Sequence, residues 1–174
     1  ITSDWSSDVC SSDLHRRIGL AIGPMRMVPA QRKRSGYEEA MRSGLPDEPL
    51  RVVETLYTYE GGANAAQLLL PQGCTGIVCG SDIMALGVIQ GVRSGGLRVP
   101  EDVSVIGYDD SPLIPMTDPP LTTVRQPVTA IARAAVTTLL AGIARNQTPD
   151  TEMLFAPDLI VRGSTNYQDR KSVV

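Results

Sequence analysis

Ser81–Asp82 and Asp109–Asp110 are the side chains in this sequence best placed to do chemistry. Each pair follows a short apolar run, Gly76 to Cys79 in the first case and Val103 to Tyr108 in the second. If both runs are parallel strands of one sheet, the two pairs lie side by side at its carboxyl edge, where open α/β sheets bind ligands. Hydroxyl and carboxylate acceptors gathered there suit a small polar ligand rich in donors. Adjacent residues at a strand end point to opposite faces. Of Asp109 and Asp110, one therefore reaches the crevice while the other caps or braces the loop.

Catalytic uses fit the sequence poorly. His15 is the only histidine, and Ser81 has no base within its own motif, so a nucleophilic triad has no proton acceptor. No G-x-G-x-x-G follows a strand and no phosphate-loop lysine is present, so no dinucleotide, nucleotide or other cofactor is expected. Asp109 and Asp110 are the only candidates for acid–base or magnesium work, and their opposite-face geometry keeps them from one atom. Cys10, Cys74 and Cys79 have no metal-ligand spacing, so no metal site is expected either. The expectation is a binding protein, not an enzyme.

The elements that must position these residues follow from the apolar pattern. Arg17 to Ile22 reads as a strand closed by Gly23-Pro24. A helix follows from about Pro29 to Arg42, with Gly44 as its C-terminal glycine. Ala30, Arg34, Tyr37 and Met41 recur on it at spacings of three and four. Its basic start, Arg32, Lys33 and Arg34, opposes the helix macrodipole. Those cations form either a solvated face or a group with one member aimed into a ligand cleft. Arg51 to Leu56 is a second strand, then Gly61-Gly62 leads into a helix from about Ala63 to Leu70. Pro71-Gln72-Gly73 breaks that helix before the strand at Gly76.

Asp82 is positioned to cap a helix running to about Ser94. Ile83 to Ile89 leaves its first half almost no polar face, so it is buried on more than one side. The region from Ser111 to Pro120, with prolines at 112, 115, 119 and 120, reads as a rigid irregular loop. A helix from about Pro127 to Ala144 carries Val128, Ile131, Ala135, Leu139 and Ile143 on one face, with Pro149 marking its end. Leu159 to Arg162 is a last short strand. Strand and helix alternating at this length give an α/β fold with a doubly wound, mostly parallel sheet.

The chain has 174 residues, a net charge of −3 and 4% aromatics, which gives one domain and no electrostatic footprint for DNA. No apolar run approaches a membrane span, no signal peptide is evident, and the cysteine usage fits a reduced cytoplasm. Both ends look foreign. Back-translation of Asp4 to Leu14 (DWSSDVCSSDL), and of the final DRKSVV, spells short-read sequencing-adapter strings. Residues 1–14 and 169–174 are therefore expected to be adapter-derived and 15–168 to be the natural part, an internal piece of a longer gene.

Four stretches, RSGYEEAM, CGSDIMALGVIQGVRSGGLRVPEDVSVIGYDD, DPPLTTVRQP and APDLIVRGST, resemble the effector-binding domains of LacI/GalR-type bacterial transcription regulators, in that family's order and spacing. The resemblance implies a periplasmic-binding-protein-like domain of type I, mostly its C-terminal lobe, with the first lobe incomplete. It implies a sugar-like effector as ligand, with the first Asp of the GYDD motif, Asp109, accepting its hydrogen bonds. Ser81-Asp82 stands where the family usually has Asn-Asp; serine keeps a donor and an acceptor but is shorter. The family's effector-contacting arginine falls on Lys33, or after a one-residue shift on a neighbour such as Arg34. The helix from Asp82 would meet a second subunit of a homodimer through Met84, Leu86 and Ile89. The helix from 127 to 144 would pack in the missing lobe, so its apolar face is expected to be exposed here. DNA would be reached only through an absent N-terminal helix-turn-helix. Two alternatives are a periplasmic sugar-binding protein of a transporter and, more weakly, an α/β enzyme.

Overall fold

A computed structural model describes residues 15–145 and 152–166. The adapter-like segments and the helix stop expected at Pro149 lie outside the described residues. Within them, six strands form one sheet in the order β2-β1-β3-β4-β5-β6. These are β1 (Ile18–Ile22), β2 (Arg51–Glu54), β3 (Gly76–Cys79), β4 (Ser104–Asp109), β5 (Thr122–Arg125) and β6 (Asp158–Ile160). The first five are parallel and β6 runs antiparallel to β5. The helices are α1 (Val28–Gly44), α2 (Tyr59–Leu69), α3 (Asp82–Ser94) and α4 (Val128–Arg145). Strand order reverses around β1, which puts a topological switch point at the carboxyl ends of β1 and β3. The expected doubly wound, mostly parallel sheet is observed.

Period-two alternation sorts each strand between two cores. Ile18, Leu20 and Ile22 of β1, Val78 of β3 and Ile106 of β4 pack with Ala30, Tyr37 and Met41 of α1. Ala21, Ile77, Cys79 and Val105 face the other way, onto Leu69 of α2 and Met84, Val88 and Val92 of α3. Each such side chain, once enclosed, contributes roughly 1.5–3 kcal/mol. Tyr37 adds a polar tie within its core: its hydroxyl donates to Ile18 O (2.8 Å) and accepts from Arg51 N–H (3.2 Å), fixing α1 across β1 and β2.

Several boundaries differ from the sequence reading, each for a physical reason. α2 begins at Tyr59, so Gly61-Gly62 lies inside the helix and is no break before it. Thr58 is its N-cap, accepting from Gly61 N–H at 3.0 Å. The glycines are there because α2 and α3 touch backbone to backbone: a Cβ on Gly62 would strike the Met84 carbonyl, and one on Gly87 the Tyr59 carbonyl. α1 includes Gly44 as its last helical residue and closes through Leu45 N–H on Met41 O (2.8 Å), with no left-handed glycine. That role falls to Gly96 after α3, at φ 77°, where Leu97 N–H bonds Val92 O and Gly96 N–H bonds Arg93 O. β5 went unrecognised in the sequence because TTVR is short and hemmed by prolines.

Of the α3 residues expected to meet a second subunit, two lie in this chain's own core. Met84 (0% exposed) and Ile89 (5%) are enclosed by this chain's own sheet and α2, and Leu86 is partly buried against the same core. The second side of α3 is thus covered from within. α4 behaves as expected: Val128, Ile131, Leu139, Leu140 and Ile143 are all exposed, between 37% and 69%.

At the amino edge of the sheet, His15 is 7% exposed and bridges Thr75 Oγ1 and Ser104 Oγ, each at 3.0 Å. Ser104 Oγ also accepts from Asn166 N–H (3.2 Å), so this cluster staples both ends of the described chain to β3 and β4. Burial lowers the His15 pKa below 6.5. The fold therefore holds a neutral imidazole. Below the unfolded value the unfolded chain takes up a proton that the fold refuses, and stability declines until the folded pKa is passed. The urea midpoint is expected to fall as pH drops below 6.5, with His15→Gln flattening that part of the profile. An equal slope in wild type and variant contradicts this assignment.

Candidate functional site

The site grows out of the carboxyl ends of β3, β4 and β5. β4 ends on Asp109 and Asp110, which have φ of 121° and 55°, a region that non-glycine residues rarely occupy. Such backbone costs of order 1–3 kcal/mol per residue and persists only where surroundings over-determine it. Asp110 supplies that constraint. Its carboxylate accepts from Arg125 Nε (2.6 Å) and Arg162 (2.7 Å), with the side chain 7% exposed. Burial alone would raise the Asp110 pKa, but hydrogen bonds from Arg162 and Arg125 outweigh it and hold the carboxyl below its ordinary value.

With Asp110 held in this brace, Asp109 is the other carboxylate at the end of β4; both have positive φ, so the separation comes from the turn and not from strand alternation. Asp109 accepts from Gln126 Nε2 at 2.7 Å. Partial burial raises its pKa, opposed by the Gln126 hydrogen bond and the Lys33 charge and reinforced by Asp82. Lys33 reaches the same edge from α1. Its Nζ donates to Gly80 O (2.8 Å) and stands 3.6 Å from the Tyr108 ring centroid. Desolvation lowers the Lys33 pKa while Asp109 and Asp82 pull it back up.

The remaining candidates are spoken for. Ser81, not Asp82, is the N-cap of α3, accepting from Met84 N–H at 3.4 Å. Asp82 is 3% exposed and its carboxylate is fully engaged. Oδ1 accepts from Thr123 Oγ1 (2.5 Å), and Oδ2 from Ser111 N–H (2.8 Å) and Ser111 Oγ (3.0 Å). It positions the edge from beneath. Arg34 pairs with Glu38 one turn along α1 at 2.7 Å, and Arg32 with Glu152 at 2.6 Å.

Sequence reasoning passed over three site residues. Gln126 follows β5, the unrecognised strand. Tyr108 was counted only as the end of an apolar run. Tyr57 lies over the ends of β1 and β3, where a Cβ on Gly23 or Gly80 would strike its ring. Its hydroxyl is buried without a hydrogen-bond partner among the described residues. Burial raises its pKa, offset in part by the Gly23 amide, which lies nearby but outside bonding geometry. The signal was available: an aromatic just after a strand, in a chain with few, facing two glycines at strand ends. Beside Asp109 the edge opens into a concavity of about 600 Å³ lined by Asp110, Arg125, Gln126, Arg133 and the first turn of α4.

This set can grip a polyhydroxylated molecule: a carboxylate and an amide oxygen accept, an ammonium donates, and aromatic rings flank it. No group of His, Cys, Asp and Glu able to hold a metal occurs among the described residues.

Comparison with known proteins bears on the fold that carries these residues. Residues 10–165 match the periplasmic binding protein-like domain family. The chain is 56% identical over 155 residues to an uncharacterized HTH-type transcriptional regulator in the aml 5′ region of Streptomyces limosus, covering 87% of this chain and 44% of that protein. It thus spans about half the length of the curated relatives it matches. Among solved structures it is similar to a transcriptional regulator CelR–cellobiose complex, with TM-score 0.83 and 31% identity over 94% of this chain and 52% of that one. It is also similar to the lac repressor dimer bound to operator and the anti-inducer ONPF, with TM-score 0.84 and 27% identity over 94% of this chain and 57% of that one. The chain belongs to the periplasmic binding protein-like domain family.

Proposed function

We propose that this chain is the ligand-sensing part of a LacI-type transcription regulator and binds a neutral saccharide or related polyol at the carboxyl edge of its sheet. The observation that carries the reading is the convergence there of Asp109, Gln126 and Lys33. A neutral ligand fits because the Lys33 ammonium is already balanced by carboxylates, and Arg125 and Arg162 are tied to Asp110. The protein acts in the cytoplasm by binding, with no catalytic step. The effector shifts the balance between lobe arrangements and so alters DNA affinity through a helix-turn-helix outside this chain. The similarity to HTH-type regulators favours this over a transporter's sugar-binding protein. A helix-turn-helix upstream in the source gene is the expected finding, and a signal peptide there would restore the transporter reading.

The parent protein works as a homodimer on this reading. Because Met84 and Ile89 are enclosed, the available apolar contacts beside α3 are Ile83 (45% exposed) and, in the loop tethered to Asp82 through Ser111, Leu113 (72%) and Met116 (82%). Sedimentation is expected to show a dimer that Leu113→Asp with Ile83→Asp converts to monomer; a dimer untouched by both changes sinks this face.

Calorimetric titration with glucose, ribose and cellobiose tests the site itself. At least one is expected to bind, and Asp109→Asn to weaken it about ten-fold or more, the scale of one charged hydrogen bond. No heat from any of the three at millimolar concentration, or equal binding by the variant, refutes the assignment.

A further inference from the structure

We propose that Tyr108 is the positioning residue of the crevice: its ring and the Gly80 carbonyl together hold the Lys33 ammonium as a single fixed donor facing the ligand. This rests on the saccharide reading above and adds what makes a lysine sufficient there. An unconstrained lysine is a flexible point charge that loses considerable rotamer freedom on binding. Here that freedom is already spent. One N–H donates to Gly80 O at 2.8 Å, and the ammonium lies 3.6 Å from the Tyr108 centroid, well inside the range of an attractive cation–ring contact. An ammonium has three donors, so with one on the carbonyl and the ring taking the charge from one side, a donor remains for the crevice.

The surroundings fit this role from every side. The second aromatic, Tyr57, lies 5.9 Å from Nζ on the flank toward β1 and β3. Asp109 at the end of β4 and Asp82 at the start of α3 are the carboxylates that act on the ammonium, and both favour its charged form against the burial that opposes it. Asp82 is occupied by Thr123 and Ser111, so it supplies charge without drawing Lys33 inward. A Cβ on Gly80 would lie 2.8 Å from both the Tyr57 ring and Ile22 Cδ1, so a side chain there would push on the ring beside Lys33. The result is a donor of fixed direction and one-point geometry, suited to a hydroxyl or ring oxygen and poorly matched to a planar anion that rewards a fork.

The test compares Tyr108→Leu, which keeps apolar bulk and removes the ring, with Tyr108→Phe, which keeps the ring. The first readout is the NMR titration of the Lys33 Cε and Hε resonances in the full chain without ligand. Wild type and Tyr108→Phe are expected to share upfield ring-shifted Hε signals and one Lys33 pKa. In Tyr108→Leu the ring shift is lost and the pKa falls further, because burial then acts without the ring's attraction. The second readout is titration with whichever of glucose, ribose and cellobiose binds the wild type most tightly. Tyr108→Leu is expected to weaken it about 5- to 10-fold and Tyr108→Phe less than about 2-fold. Lys33 signals alike in all three proteins overturn the proposal while leaving saccharide binding intact. Equal loss in Phe and Leu overturns it too, assigning the effect to the hydroxyl or to packing. If none of the three sugars binds, the saccharide reading fails first, and the Lys33 signals still show whether the ring holds the ammonium.

Discussion

The carboxylate of Asp82 is the constraint on which the carboxyl edge depends. A charge 3% exposed survives only if its oxygens are fully bonded, and each of these accepts from a different segment: Thr123 on β5, and the Ser111 amide and hydroxyl in the loop after Asp110. β4 passes so close that a Cβ on Gly107 would strike Oδ1. The start of α3, two strands and the proline-rich loop are thereby locked to one small group. Asp109 and Asp110 sit between Gly107 and Ser111, and their positive φ values are sustained because both flanks are fixed and Arg125 and Arg162 grip Asp110. Division of labour among carboxylates follows: Asp82 organises, Asp110 braces, and on the proposed function Asp109 binds.

The same arrangement shows how occupancy of the crevice can be felt beyond it. Arg125 ends β5 and holds Asp110, Gln126 holds Asp109, and α4 begins two residues later at Val128. A ligand joining Asp109 and Gln126 therefore touches the sheet and the segment from which α4 departs. α4 presents its apolar residues outward, so its orientation is set by that segment more than by packing on the sheet. On the proposed function, the point of departure is where binding would bias the arrangement of lobes.

Much of this was legible in the sequence, and the failures have common causes. β1, β3, β4 and α3 are apolar runs ended by polar pairs or Gly-Pro, and periodicity found them within a residue or two. α4 was found by its amphipathic stripe, which needs no partner to be read. Signals that depend on a neighbour were misread. Gly61-Gly62 looks like a helix breaker until α3 lies against it, and TTVR looks like loop until β4 and β6 flank it. In the sequence Asp82 reads as a cap because a side chain's partner two strands away leaves no local mark, whereas Ser81 caps the helix with nothing distant required. Lys33 came from family resemblance, the basic cluster itself having left open which cation turns inward. Tyr57 and Tyr108 were missed because an aromatic's role lies in what it faces.

The most direct test of the central claim, that the carboxyl edge of this sheet is a saccharide site, is amide chemical-shift mapping of the labelled chain during titration with neutral mono- and disaccharides. The account predicts saturable shifts concentrated at Lys33, Tyr57, Gly80, Asp109 and Gln126, with the amino edge around His15 and Ser104 silent. Shifts confined to the amino edge or to the outer face of α4, with the carboxyl edge unmoved, would contradict it.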